Sequence, residues 1–283
     1  MRVLIVTAVP AERDAVVRGI AATAPEVAEL PIPGGVIHRL SPVPPTGRPL
    51  TVDVLVAGVG PAAAAAGTAA ALTAAAVART PYDLAVSAGI GGGFTTAPPT
   101  TAAPATTPRT TAAPTTPRPG SAAPRPGSAA PRPGSVVVAD AIVAADLGAE
   151  TPDGFAAVTD LGFGTVEHLP PAPLVAAVAE ATDAVRGTVL TVSTVTGSAE
   201  RAAELLRRHP HAVAEAMEGF GVAEAAAAQA VPALEVRTVS NAVGPRDRAA
   251  WRIGEAMAAL TSAFATIAPL LGTWTFDPEG TRQ

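Results

Sequence analysis

The sequence predicts an α/β protein of three layers, in which helices cover both faces of a central, twisted, mixed but largely parallel sheet. Short runs rich in β-branched residues, starting at residues 2–8, alternate along the chain with Ala-rich stretches of helical length. This alternation is typical of parallel strands that are joined by helices. With 283 residues, 48% of them hydrophobic, the chain is long enough to bury a core between such layers.

Each element follows from its own run of residues. Strands are expected at residues 2–8, 52–57, 83–87, 136–144, 188–195 and 233–239. Helices are expected at residues 11–22, 61–79, 173–182, 198–207, 217–230 and 249–271. Pro61 stands at the first position of the second helix, where proline is tolerated. Ser198 can cap the fourth helix.

Residues 95–135 interrupt this pattern within what otherwise reads as a single domain, 1–283. They consist of Thr, Ala, Pro, Arg, Gly and Ser only, and repeat Pro-Arg-Pro-Gly-Ser from Pro117, Pro124 and Pro131. Such a segment buries too little apolar surface to offset its ordering entropy. We expect a disordered, extended loop insertion, the alternative interpretation being a ligand for a proline-recognition module.

Charge and composition exclude several classes of function. The net charge is −5, and the insertion contributes four Arg and no acid, so the rest of the chain is more acidic still. An acidic body argues against nucleic acid as a partner. There is no Cys, which excludes disulfides and thiol catalysis, and the four His have no metal-ligand spacing, so no metal or cofactor is expected. No targeting segment and no membrane span are predicted, and a cytoplasmic location is expected.

Several polar residues fall where a parallel sheet binds its ligand. Glu12 follows the first strand, where a ligand-contacting group is expected. The alternative interpretation is that this acid, at the start of a helix, only interacts favourably with the helix dipole. Gly89 and Gly91 follow a later strand and allow close backbone approach to a ligand, but no Gly-Lys-Ser/Thr sequence of a phosphate-binding loop comes after them.

Three further residues need partners or ligands. Glu218 begins a very apolar helix and Arg237 stands inside an apolar strand, so each must be solvated, paired or bound to a ligand. Asn241 falls at the carboxyl end of that strand, where a ligand binds, or serves as a turn residue before Gly244 and Pro245.

The order of these motifs resembles that of the purine nucleoside phosphorylase / methylthioadenosine nucleosidase superfamily over nearly the whole chain. The most specific matches are the Met-Glu ribose motif at Met217-Glu218 and the Arg-x-x-Ser-Asp/Asn motif at residues 237–241. Further matches are the first strand with its acidic cluster, Gly58-Val59-Gly60-Pro61, the Gly-rich residues 86–92 and Val137-Val138-Ala139-Asp140. The resemblance implies a nucleoside phosphorylase-like fold and a small-molecule nucleoside as substrate.

Within the superfamily the chain most resembles the futalosine hydrolases of the alternative menaquinone pathway. The phrases that carry this likeness are residues 145–155 and 240–248, with Trp251 shortly after. The resemblance implies hydrolysis of futalosine to hypoxanthine and dehypoxanthinyl futalosine. It also implies a homodimer or larger homo-oligomer in which residues 145–163, with Phe155 as a substrate-binding residue, cover a neighbour's substrate tail.

The resemblance implies a role for each site residue. Glu12 would activate water, Arg237 would help to hold it, and Glu218 would accept hydrogen bonds from the ribose hydroxyls. Met217 would pack on the ribose. The backbone of Gly89, Ile90 and Gly91 would approach the sugar and the base. Related nucleosidases often carry Ser where this chain has Ile90, so no hydroxyl is expected at that position.

The amide of Asn241 both donates and accepts hydrogen bonds, and therefore fits the 6-oxopurine hypoxanthine better than adenine. An amide is not a strong acid, so the leaving base must take its proton from elsewhere. Asp247 and water are both candidates. An ion pair between Asp247 and Arg246 or Arg248 at the surface is an equally good interpretation of that residue.

Three other functions remain open. A phosphorylase would need several cations near the glycines, and only Arg13 and Arg237 qualify. A methylthioadenosine or adenosylhomocysteine nucleosidase is disfavoured by Asn241. A catalytically silent nucleoside-binding protein is the alternative outside enzymes, and the joint presence of Glu12, Glu218 and Arg237 argues against it.

Overall fold

The computed structural model describes residues 1–21, 26–41, 49–94 and 130–274. In these ranges the strands are β1 (Arg2–Thr7), β2 (Val27–Ile32), β3 (Gly35–Leu40), β4 (Thr51–Val56), β5 (Leu84–Gly93), β6 (Val136–Ala144), β7 (Gly148–Thr151), β8 (Gly154–Ala157), β9 (Glu167–His168), β10 (Val185–Thr191), β11 (Ala212–Ala216) and β12 (Ala233–Ala242). The helices are α1 (Pro10–Ala21), α2 (Pro61–Val77), α3 (Ala172–Thr182), α4 (Ala199–Arg208), α5 (Gly219–Ala227) and α6 (Ile253–Thr273), with a short 3₁₀ turn at Arg248–Ala250.

One mixed sheet organises the described part of the chain. Its strands follow the order β11-β10-β6-β12-β5-β1-β4-β3-β2, and β9 pairs with β6. The central pairs β12–β5, β5–β1 and β1–β4 are parallel. In addition, β11 pairs antiparallel with β5, which closes β11, β10, β6, β12 and β5 into a ring of five strands.

Helices pack on both faces of the sheet and bury its apolar side chains. On one face α1, α3 and α6 form a cluster with the central strands around Val16, Leu174 and Phe264. On the other face α2 and α5 pack through Leu72 and Val222. Burial of a large aliphatic or aromatic side chain contributes about 1.5–3 kcal/mol. The predicted three-layer α/β architecture with a mixed, largely parallel sheet is confirmed.

Several elements differ from the sequence-based expectation. The hairpin β2–β3 and strand β11 were not predicted, and neither was the hairpin β7–β8 within residues 145–163. Strand β11 has the sequence AVAEA, whose small side chains give little strand signal. Strands β5 and β12 both run past their predicted ends, so the glycines after residue 87 and Asn241 lie within strands rather than in turns.

Most of the predicted insertion, residues 95–129, lies outside the described residues, and the expectation that it is disordered therefore stays a prediction. Its last six residues are described and belong to the fold. Pro131 is buried, and the Gly134 amide donates to the Val239 carbonyl at 2.8 Å. The last residues of the low-complexity segment therefore take part in the fold. Their backbone amides and carbonyls can form hydrogen bonds whatever side chains they carry.

Helix α6 is the one described helix that is long and apolar enough to cross a membrane by length and composition. Its side chains Leu260, Phe264, Ile267 and Leu271 are fully buried against the sheet and α1. A core helix passes the same test of length and hydropathy, so this helix is explained by its packing.

Candidate active site

A cleft of about 400 Å³ opens where the carboxyl ends of β1, β4, β5, β10 and β12 meet strand β11. Ligands of open parallel sheets bind at this edge. Six of the predicted site residues line the cleft: Glu12, Ile90, Gly91, Met217, Glu218 and Asn241. The fold thus brings together residues that are more than 200 positions apart in the sequence.

Glu12 turns its carboxylate back towards the end of β1. Its Oε2 accepts from the Ala8 amide at 2.9 Å, and its Oε1 accepts from the Ile90 amide at 2.9 Å. Burial raises the pKa of Glu12, the Arg237 cation and the two amides oppose this, and the Glu218 carboxylate adds to the rise. The net direction is upward. A buried carboxylate with a raised pKa that faces a cleft is suited to proton transfer.

Arg237 lies beneath the floor of the cleft and is almost fully buried. Its Nε donates to Glu235 Oε1 at 2.8 Å, its Nη2 donates to Ser87 Oγ at 2.7 Å, and its Nη1 lies 3.2 Å from Glu218 Oε2. Burial alone would lower its pKa, but the carboxylates of Glu235, Glu218 and Glu12 raise it overall, so the guanidinium stays charged. Arg237 therefore fixes carboxylates and does not itself line the cavity.

Glu218 occupies the N-cap position of α5, directly before the first helical residue, Gly219. Besides Arg237, its Oε1 accepts from the Gly60 amide at 3.2 Å. Gly60 has φ +94°, a left-handed conformation that favours glycine, and it precedes α2. Glu218 is thus held between two helix starts and a buried cation, with its carboxylate at the cavity wall.

Gly89 is needed for close packing rather than for a turn. A Cβ atom there would stand 2.5 Å from Glu12 Oε1 and 2.8 Å from Arg237 Nη1. The side chains of the two charged residues therefore cross the strand where Gly89 has none. Gly89 supports the cleft from below, whereas Ile90 and Gly91 line it.

Asn241 projects into the cleft near the end of β12. Its Oδ1 accepts from the Ser240 hydroxyl at 2.7 Å, and its Nδ2 donates to the Ala242 carbonyl at 2.9 Å. These two bonds define the orientation of the amide. One lone pair of Oδ1 and one hydrogen of Nδ2 are left for a ligand.

Two predicted residues stand apart from the cavity. Asp247 caps the short 3₁₀ turn by accepting from the Ala249 amide at 3.1 Å, and it forms no ion pair with Arg246 or Arg248 within the described part of the chain. Phe155 lies on β8, where the Arg208 guanidinium stacks 4.3 Å from its ring. Neither side chain lines the cleft of its own chain.

Sequence reasoning missed three features of the site. Glu235 is fully buried beside Arg237, and Glu215, held by Thr196, lines the cleft. Trp251 also lines it. The signal for Glu235 was present, since residues two apart in a strand share a face. Among the described residues no group of three or more His, Asp or Glu is arranged to hold a metal.

A family model supports the class that this fold and cleft indicate. The model of the phosphorylase superfamily matches residues 126–271. Among the solved structures of similar fold is the futalosine hydrolase of Helicobacter pylori strain 26695, which has a TM-score of 0.67 and is 15% identical, covering 96% of this chain and 97% of that one. The chain is therefore a member of the phosphorylase superfamily.

Curated relatives narrow the assignment. The chain is 59% identical over 274 residues to the futalosine hydrolase of Streptomyces coelicolor, covering 97% of this chain and 98% of that protein. It is 39% identical to the futalosine hydrolase of Acidothermus cellulolyticus, covering 98% and 93% of the two chains. The chain belongs to the futalosine hydrolase family, as its motifs predicted.

Proposed function

We propose that this protein hydrolyses the N-ribosidic bond of futalosine to hypoxanthine and dehypoxanthinyl futalosine, as a step of menaquinone biosynthesis. The observation that carries the proposal is the meeting of Glu12, Glu218 and Asn241 in one cleft of a chain that is 59% identical to a futalosine hydrolase. Each of these residues supplies one of the functions that the reaction needs.

The bond between N9 and C1′ breaks with positive charge on the ribose and negative charge on the base, and the enzyme must stabilise both. Water attacks C1′ and gives its oxygen and one hydrogen to the sugar. Glu12 takes the other proton from that water, for which its raised pKa is suited. The electron pair of the broken bond leaves with the base.

Glu218 binds the sugar. Its carboxylate accepts hydrogen bonds from the ribose hydroxyls, and its charge favours the cationic ribose of the transition state. Arg237 holds this carboxylate in place from below, 3.2 Å away. Met217, which lines the cleft beside it, packs on the ribose.

Asn241 binds the base through the free hydrogen and lone pair of its amide. The leaving base takes up a proton from water, because Asp247 lies outside the cleft, and the hydroxide left by that step takes the proton from Glu12 and restores its carboxylate. The substrate tail points to the cleft wall formed by Arg246 and Trp251, where a guanidinium stands 5.3 Å from the indole ring.

Water rather than phosphate is the nucleophile in this proposal. The sequence places Arg13 and Arg237 near the glycines, and a third cation, Arg246, lines the cleft at the wall assigned to the substrate tail. Arg13 is paired with Asp14 at 2.7 Å and contacts His38 at 3.2 Å, and Arg237 is enclosed by carboxylates. Neither offers a free guanidinium to an anion.

The test is product analysis with purified protein. Futalosine, inosine and methylthioadenosine are each incubated with and without phosphate, and bases and sugars are separated by chromatography. We expect hypoxanthine and a free sugar hydroxyl from futalosine at a rate independent of phosphate. A phosphorylated sugar, or faster release of base from methylthioadenosine, would overturn the proposal.

We further propose that the protein works in the cytoplasm as a homodimer or larger homo-oligomer. Apolar side chains on and after the β7–β8 hairpin are solvent-exposed in the single chain, with Phe163 68% and Leu161 44% exposed. Apolar surface of this kind usually meets a partner. A second copy would cover it and would bring Phe155 near a neighbouring cleft.

A further inference from the structure

Glu215 is a buried carboxylate that faces the cleft and has no part in the reaction as described above. It is 5% exposed and lies on β11. Its Oε1 accepts from the Thr196 amide at 2.8 Å, and its Oε2 accepts from the Thr196 hydroxyl at 2.5 Å. Each oxygen keeps a lone pair for another donor.

We propose that Glu215 selects the leaving base by accepting the hydrogen on N1 of a 6-oxopurine. The proposal rests on the proposed function in one respect, namely that hypoxanthine is the base. It gives Glu215 direct contact with substrate and makes it a determinant of specificity, together with Asn241.

The register of the sheet supports this placement. Gly92 on β5 is the register partner of Glu215 on β11 and also of Asn241 on β12. All three line the cleft, and Gly92 contributes no side chain between the other two. Two strand spacings separate their backbones by about 10 Å. A purine with a hydrogen bond at each edge fits such a gap.

The other acids of the cleft have different tasks. Among the described residues that line it, Glu12 and Glu218 lie together near Arg237, at the end proposed for water and ribose. Glu215 lies beyond Gly92, next to Thr196. It is therefore the acid available to the six-membered ring of the base.

The charges and hydrogen bonds around Glu215 leave its carboxylate in need of a further hydrogen-bond donor, which a bound base can supply. Burial raises the pKa of Glu215, whereas the hydroxyl and amide of Thr196 and the charge of Arg201 oppose the rise, and Asp146 adds to it. A donor from the substrate would stabilise the ionised carboxylate further.

Hydrogen-bond polarity provides the discrimination. N1 of hypoxanthine carries a hydrogen, which a carboxylate accepts. N1 of adenine has a lone pair instead, so adenine would place acceptor against acceptor. A buried mismatch of this kind typically costs about ten- to hundredfold in kcat/KM.

The test compares Glu215→Gln with wild type on futalosine and on its adenine analogue. Gln keeps the size of the side chain and can still bond to Thr196. We expect kcat/KM for futalosine to fall about ten- to hundredfold, while that for the adenine analogue stays level or rises. The matched control is Glu29→Gln, an exposed acid on β2, which should change neither value. An equal fall for both substrates would show that Glu215 only supports Thr196, and would overturn the proposal.

A second measurement does not depend on the variant or on turnover. Calorimetry on wild-type protein compares hypoxanthine with 1-methylhypoxanthine, which lacks the N1 hydrogen. We expect hypoxanthine to bind about tenfold or more tightly, and the difference to vanish in Glu215→Ala, where the methyl group also has room. Equal binding to wild type would overturn the assignment. If wild type binds hypoxanthine selectively but does not cleave futalosine, the proposed function fails while the role of Glu215 stands.

Discussion

Arg237 and Glu235 leave the same face of strand β12 two residues apart, and the guanidinium Nε lies 2.8 Å from Glu235 Oε1. Both side chains are almost fully buried. Because residues two apart in a strand share a face, the geometry of β12 alone places these two side chains side by side. Arg237 then uses its remaining nitrogens to hold Ser87 and Glu218.

Breaking this pair should destabilise the fold. Glu235→Ala leaves a buried guanidinium short of one carboxylate, which typically costs about 3–5 kcal/mol. Urea denaturation followed by circular dichroism measures the change. Glu255→Ala, which breaks an exposed pair with Arg252 at the start of α6, is the control and should cost at most about 1 kcal/mol. Equal effects of the two variants would contradict the structural role of Glu235.

Glu12→Gln and Glu218→Gln should each lower kcat for futalosine on the order of 100-fold or more. Both changes keep the shape of the side chain, and both residues act most strongly on the charges of the transition state. The thermal midpoint of each variant, measured beside kcat, should stay near that of wild type. Turnover like that of wild type in either variant would remove its residue from the mechanism.

The pH profile should depend on the pair Glu12 and Glu218. Glu12 acts as a base only when ionised, so kcat/KM rises with pH through its pKa, which lies above the ordinary glutamate value. The Glu218 charge contributes to that rise. Glu218→Gln should therefore move the acidic limb of the residual activity to lower pH. A limb that stays in place, or moves upward, would assign it to another group.

Asn241→Asp should weaken action on futalosine about ten- to hundredfold. The second carboxylate oxygen would face the Ala242 carbonyl, to which Nδ2 now donates at 2.9 Å, and it would offer no donor to the base. The matched variant Ser240→Ala removes the bond that orients the amide and should have a smaller effect. Equal cleavage of the hypoxanthine and adenine forms by wild type would show that Asn241 does not select the base.

Phe163→Glu should shift the protein towards the monomer. Phe163 is the most exposed aromatic side chain near the β7–β8 hairpin, and a charge there is costly to bury in an interface. Light scattering at micromolar concentration measures the mass, with Val77→Glu, an exposed position on α2, as the control. A wild-type monomer with full activity would contradict the proposed oligomer.

The sequence predicted the sheet well where strands are long and β-branched, because such runs have one stable environment, the interior of a parallel sheet. The position of Arg237 in an apolar strand predicted that this residue needs a partner, but the family resemblance gave it the role of holding the attacking water. Which groups surround this buried cation depends on how β5, α1 and the start of α5 pack against β12, and the sequence of β12 alone does not give that packing.

Two failures have local causes. Glu215 lies on a strand made otherwise of Ala and Val, whose five residues show too little contrast to predict a strand or its face. Asp247 was one of two candidates for the source of the proton, beside water, and it accepts a hydrogen bond from its own backbone as a turn cap. Short polar side chains commonly do so.

The closed ring formed by β11, β10, β6, β12 and β5 limits how this family can diverge. Every strand of the ring has two neighbours, so the distance across Gly92 between positions 215 and 241 is set by backbone hydrogen bonds on both sides. A relative that came to prefer another purine could not widen or narrow this span without breaking a ladder. Its adaptation would have to proceed by exchange of side chains at these two positions, with the backbone between them inherited unchanged.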